Sequence, residues 1–92
     1  MPKVIITAQV EDNAKWEAGF RSHTDLFSTM AIDHKIEFTM LPENYVALCA
    51  DVKNIDTYMG VLQSPATADA MAFDGVKRDT VKVYVLDKEV AF

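Results

Sequence analysis

The sequence predicts an α+β domain: a four-stranded antiparallel sheet with helices on one face, in the order β-α-β-β-α-β. Three observations lead there. Four apolar, β-branched runs alternate with period two, the stretches between the outer pairs carry apolar residues at helical spacing, and capping or turn residues stand at the junctions. The 92 residues suit one domain spanning 1–92, because a second core would leave each half below the size that usually folds unaided. A content of 50% hydrophobic and 25% charged residues, with three Gly and three Pro, excludes disorder and fibrous repeats.

Each element has a local reason. Residues 3–10, KVIITAQV, are β-branched and apolar enough for a strand, and Glu11-Asp12-Asn13 then supplies acids and a cap for a helix N-terminus. From Ala14 to Met30 the large apolar residues Trp16, Phe20, Phe27 and Met30 fall along one side of a helix. Residues 35–40 alternate as a second strand, Pro42 marks a turn over 41–44, and residues 45–52 return as a third strand, completing a hairpin. Asn54 caps a second helix with Ile55, Tyr58, Met59 and Leu62 on its apolar side. Ser64-Pro65 stops it and restarts a short third helix that ends near Gly75, and residues 80–86 form the last strand.

This order is the split βαβ, or ferredoxin-like, arrangement. One strand face collects Val4, Ile6, Ala8, Val10, Ile36, Phe38, Met40, Val46, Leu48, Ala50, Val52, Val81, Val83 and Val85, and that face must meet the helices. The other face, with Ile5, Ala47, Cys49, Tyr84 and Leu86 among Lys, Thr and Tyr, is too apolar to be fully wet. It predicts a homodimer in which two sheets pack face to face. The tail Glu89-Val90-Ala91-Phe92 either crosses to the second copy or frays.

Charge and motif content narrow the function classes. Fourteen acidic residues against nine basic give a net charge of −5, which repels nucleic acid and anionic membranes. No apolar run approaches the ~20 residues that span a bilayer, and Met1-Pro2-Lys3 does not open an apolar leader. The lone Cys49 cannot form an internal disulfide, so the cytoplasm is the expected compartment. Neither a phosphate-binding glycine loop, nor Gly-x-Ser-x-Gly, nor His-Glu-x-x-His, nor a Cys/His cluster occurs, so no metal and no cofactor is expected.

Helix one with Trp16, Phe20 and His23, the Ser64-Pro65 break, and Ala70-Met71 followed by Asp74-Gly75-Val76 before the last strand make the chain resemble the dimeric α+β barrel superfamily over nearly its whole length. The resemblance implies a homodimer with a ligand cleft between sheet and helices in each subunit. The superfamily includes antibiotic-biosynthesis-type monooxygenases, muconolactone isomerases, polyketide cyclases and many small uncharacterised proteins. In its monooxygenase-like members a tryptophan near the sheet is associated with oxidation of aromatic polyketides; here the only tryptophan, Trp16, stands on the predicted helix. No histidine matches the iron ligand of the heme-binding members.

His23 is the residue that asks for an explanation. At 100° per residue it falls in the middle of the helix-one stripe, and Gly19 four residues earlier leaves room beside the imidazole. Burial favours the neutral ring, which needs a hydrogen-bond partner: Tyr58, a backbone carbonyl, water or a bound molecule. No carboxylate lies three or four residues away to orient it, so a triad has no support within the helix. His34, between Asp33 and Lys35 in a predicted loop, is expected to be exposed. Two readings of His23 stand side by side, a satisfied core histidine and a polar anchor or general base in a cleft.

The cleft reading gathers Trp16, Phe20, His23, Phe27, Phe38, Met40, Tyr58, Met59 and Met71, a list that serves a core as well as a pocket. It leads to a homodimeric binding protein for a lipophilic or amphipathic small molecule. The alternative is a cofactor-independent oxygenase, isomerase or cyclase with His23 as general base. Neither the ligand nor the reaction is legible in the residues.

Overall fold

Val4, Ile6 and Ala8, all buried, alternate with half-exposed neighbours along β1 (Lys3–Gln9), and this strand is the interior of the sheet. The computed structural model describes residues 2–92. β1 pairs antiparallel with β3 (Tyr45–Val52) on one side and β4 (Lys82–Leu86) on the other, while β2 (Ile32–Leu41) pairs with β3, so the strand order is β2-β3-β1-β4. The predicted fold class is the one observed.

Local chemistry accounts for the helix ends. Asp12 caps α1 (Asn13–Arg21) by accepting from Lys15 N at 2.9 Å, and Asn54 caps α3 (Ile55–Leu62) by accepting from Thr57 N at 3.0 Å. Ser64 caps α4 (Pro65–Phe73), with Pro65 in its first turn. At the other end of α4, Gly75 takes φ +76°, Val76 N donates to Met71 O at 3.0 Å and Gly75 N to Ala72 O at 3.2 Å. These two bonds form a Schellman motif, which sets the backbone of Asp74 at the helix C-cap.

Three boundaries differ from expectation. The predicted helix 14–30 is two helices, α1 and a short α2 (Thr24–Ser28). Ser22 Oγ donates back to Gly19 O at 2.5 Å, and His23 N reaches Phe20 O at 3.1 Å, so the last turn of α1 tightens and the axis breaks at Ser22-His23. The second strand begins at Ile32, ahead of Lys35, because a bulge between Ile32 and Ile36 takes up the polar residues 33–35. The last strand begins at Lys82, not Thr80, since residues 78–80 form a 3₁₀ turn and Thr80 Oγ1 accepts from Gln9 N at 2.8 Å.

The helices cover one sheet face and bury two clusters. One is centred on Val4, Ile6, Met30, Val52 and Tyr58, the other on Ala8, Val10, Trp16 and Val46; Leu48 and Val81 touch both. Val85, assigned to the inward face by alternation, is 44% exposed. On the opposite face Tyr84 and Leu86 are exposed, while Ile5, Ala47 and Cys49 are half-buried. Among the described residues no helix is long and apolar enough to cross a membrane.

Candidate functional site

Where the two clusters meet, the helices do not close on the sheet. A cavity of about 90 Å³ remains, floored by Ile6, Ala8, Val46 and Leu48 and roofed by Trp16, Phe20, Phe27, Met30, Tyr58 and Met71. Apolar surface dominates. The polar groups on its wall come from His23, Asp74, Tyr58 and Thr67, and the Thr67 hydroxyl is already engaged, donating to Val61 O at 2.5 Å.

His23 stands at the break between α1 and α2, partly buried, with its ring edge-on to Phe73. Its partner is not Tyr58 but Asp74: Nε2 and Asp74 Oδ1 lie 3.1 Å apart across 51 residues of sequence. The room expected beside the imidazole above Gly19 is real, and this carboxylate fills it. A Cβ on Gly19 would overlap Asp74 Oδ1. Two glycines therefore build the contact. Gly75 ends α4 so that Asp74 faces α1, and Gly19 lets the carboxylate approach the helix backbone.

Burial raises the Asp74 carboxyl above its ordinary value, and the hydrogen bond and charge of His23 pull it partly back. An ionised Asp74 accepts a hydrogen bond from Nε2–H, which leaves Nδ1 as the ring's acceptor, the tautomer assignment following from the hydrogen bond. The pair is thus equipped to accept a hydrogen bond or a proton and to stabilise the resulting imidazolium. Burial, with a smaller contribution from Cys49, pushes the Tyr58 hydroxyl up to about 12, so it stays neutral at physiological pH. Among the described residues no three His, Cys, Asp or Glu side chains converge as a metal site requires.

Of the nine predicted site residues, Trp16, Phe20, His23, Phe27, Tyr58 and Met71 meet at the cavity. Phe38, Met40 and Met59 do not. Phe38 braces the wall from behind, 5.5 Å from the Trp16 ring and 5.4 Å from Phe20, while Met40 and Met59 pack into the core. Trp16, although carried by α1, is 2% exposed and meets the sheet through this contact with Phe38. Sequence reasoning missed Asp74, Thr67 and Leu26 at the wall. Gly19 on the apolar stripe and the Asp74-Gly75 helix end were the signals for Asp74, but only the packing of α4 against α1 joins them.

Neither a protein-family model nor a curated protein sequence matches the chain. Solved structures do. A candidate antibiotic biosynthesis monooxygenase from Bordetella bronchiseptica superposes with a TM-score of 0.75 at 18% identity, covering 97% of each chain. SnoaB from Streptomyces nogalater, a cofactor-independent oxygenase, superposes with a TM-score of 0.71 at 13% identity, over 98% of this chain and 94% of that one. A protein of unknown function from Nitrosomonas europaea gives 0.68 at 8% identity, over 99% and 91%. The fold is that of the antibiotic-biosynthesis-monooxygenase-like proteins, a ferredoxin-like group in which one architecture carries oxygenases and proteins of unknown function alike.

Proposed function

We propose that the protein is a homodimer that holds a lipophilic or amphipathic small molecule in the cavity beneath α1, with His23 as the polar anchor. One observation carries this reading: a His–Asp contact stands at the wall of a cavity whose surface is mainly apolar. The half-apolar outer sheet face, with Ile5, Ala47, Cys49, Tyr84 and Leu86, supports the dimer, and an unpaired Cys49 suits the cytoplasm. Native mass spectrometry of the purified protein tests the reading. Up to one small molecule per subunit is expected, lost in His23→Ala; a ligand-free protein that takes up no fatty acid or aromatic probe would refute it.

A second reading is favoured by Asp74. A carboxylate behind the imidazole supplies the orienting group that helix one lacks, and SnoaB, which shares the fold, is a cofactor-independent oxygenase. In this reading the protein is a cofactor-independent oxygenase, isomerase or cyclase. The C–H bond of an activated carbon acid breaks, its proton goes to His23 Nδ1 and its electron pair stays on the substrate, while Asp74 stabilises the imidazolium. Oxygen uptake or isomerisation of candidate carbon acids measures it; turnover that survives both His23→Ala and Asp74→Asn would exclude it.

A further inference from the structure

Beside this cavity a wider groove of about 510 Å³ opens between the α1–α2 corner and β2. The two share a wall, because Phe20, Phe27, Ile32 and Ile36 line both. The rim of the groove is Arg21, His34, Lys35 and Lys53, and no carboxylate lines it, in a chain whose net charge is −5. Four groups able to carry positive charge thus surround an apolar floor.

The rim cations already have carboxylate neighbours outside the groove. Arg21 Nε lies 2.8 Å from Glu17, Lys35 Nζ 3.7 Å from Glu37 and Lys53 Nζ 3.9 Å from Asp33. The Lys35–Glu37 pair is long and exposed on both sides, and a pair of this kind holds its partner weakly, whereas Asp33 is only 24% exposed and also lies 3.1 Å from His34 Nε2. A carboxylate arriving in the groove would replace a side-chain carboxylate like for like. Ala31, just before the bulge, and His34, within it, take φ of +58° and +64°, left-handed values that are uncommon outside glycine, and the bulge carries His34 and Lys35 to the rim.

We infer that groove and cavity together take an amphipathic carboxylate, whose head group pairs with Lys35, Lys53 and Arg21 and whose apolar body reaches the cavity by parting the touching rings of Phe20 and Phe27, 4.7 Å apart between centroids. The inference rests on the binding reading of the cavity and specifies the class of molecule it takes. It also assigns a binding role to Arg21, Lys35 and Lys53.

The only tryptophan, Trp16, lines the cavity, so its emission reports occupancy. The probes are decanoate and its uncharged counterpart decanamide, titrated into the intact protein. Decanoate should bind about tenfold more tightly than decanamide at low salt. That preference should shrink as the screening length falls from about 30 Å at 0.01 M to about 3 Å at 1 M salt. Lys35→Glu with Lys53→Glu should abolish the preference and spare decanamide binding, whereas Lys77→Glu with Lys88→Glu, the same change in net charge away from the groove, should alter it by about twofold or less. Equal affinity for the two probes, or equal loss in both charge-reversed proteins, overturns the inference while leaving the cavity reading intact. Absence of binding by either probe overturns both.

Discussion

Replacing Gly19 by alanine sets two effects of opposite sign against each other. In an exposed helix interior the change would stabilise by about 0.8–1 kcal/mol, because glycine is the poorer helix former. At position 19 the new methyl group lands on Asp74 Oδ1, on a side chain that is 5% exposed and held between the helix and His23. Relief requires the carboxylate to move, which gives up its bond to His23 or forces neighbouring core groups aside, at a cost of about 1–3 kcal/mol either way. Over most of that range the displacement outweighs the gain, and the net effect is destabilisation by up to about 2 kcal/mol, or up to about 15 °C in Tm for a domain of this size.

Gly60 provides the comparison inside the same molecule. It also lies in a helix, α3, but a Cβ there meets nothing within 4 Å, so Gly60→Ala should raise Tm by a few degrees. Circular dichroism melts of the two variants decide the matter. Adding Asp74→Ala to Gly19→Ala should recover the helix-propensity gain, leaving a coupling of about 0.5–3 kcal/mol between the two sites. If Gly19→Ala melts above wild type, as Gly60→Ala should, the carboxylate does not occupy the glycine notch and the assembly of the His–Asp pair described above is wrong.

Other consequences are equally direct. Because burial raises Asp74 above its ordinary 3.8, the folded protein holds that proton more tightly than the unfolded chain; the resulting stability is fully present below 3.8 and is lost as pH rises through the raised folded value. Asp74→Asn should flatten urea midpoints across that window, and parallel pH curves for variant and wild type would contradict the assignment. In ultraviolet titration one tyrosine should ionise only near about 12, a step that Tyr58→Phe removes. Ala47→Glu, in the middle of the outer sheet face, should convert the proposed dimer to monomer in light scattering; an unchanged mass would place any interface elsewhere.

The strands and caps were legible because their causes are local. Period-two alternation assigns Val4, Ile6 and Ala8 to one face whatever lies opposite, and Asp12, Asn54 and Ser64 cap helices by bonding amides a few residues away. Half of the site was legible for the same reason, since helical spacing puts Trp16, Phe20 and Phe27 on a single stripe. Phe38, Met40 and Met59 share the chemistry of true lining residues, so composition could not separate cavity wall from packed core. The helix break at Ser22-His23 also escaped, because helical periodicity continues across it: Leu26, Phe27 and Met30 reach the same cavity as Trp16 and Phe20.

Alternation, caps and charge balance are properties of neighbouring residues, and they determined by themselves a ferredoxin-like α+β unit with a histidine on its apolar side. The identity of that histidine's partner, the volume left under α1 and the convergence of Arg21, Lys35 and Lys53 on one groove were decided only in three dimensions. Each depends on the approach of segments separated by tens of residues, where a methyl group more or less at Gly19 determines whether a carboxylate can enter, and no local pattern records that distance.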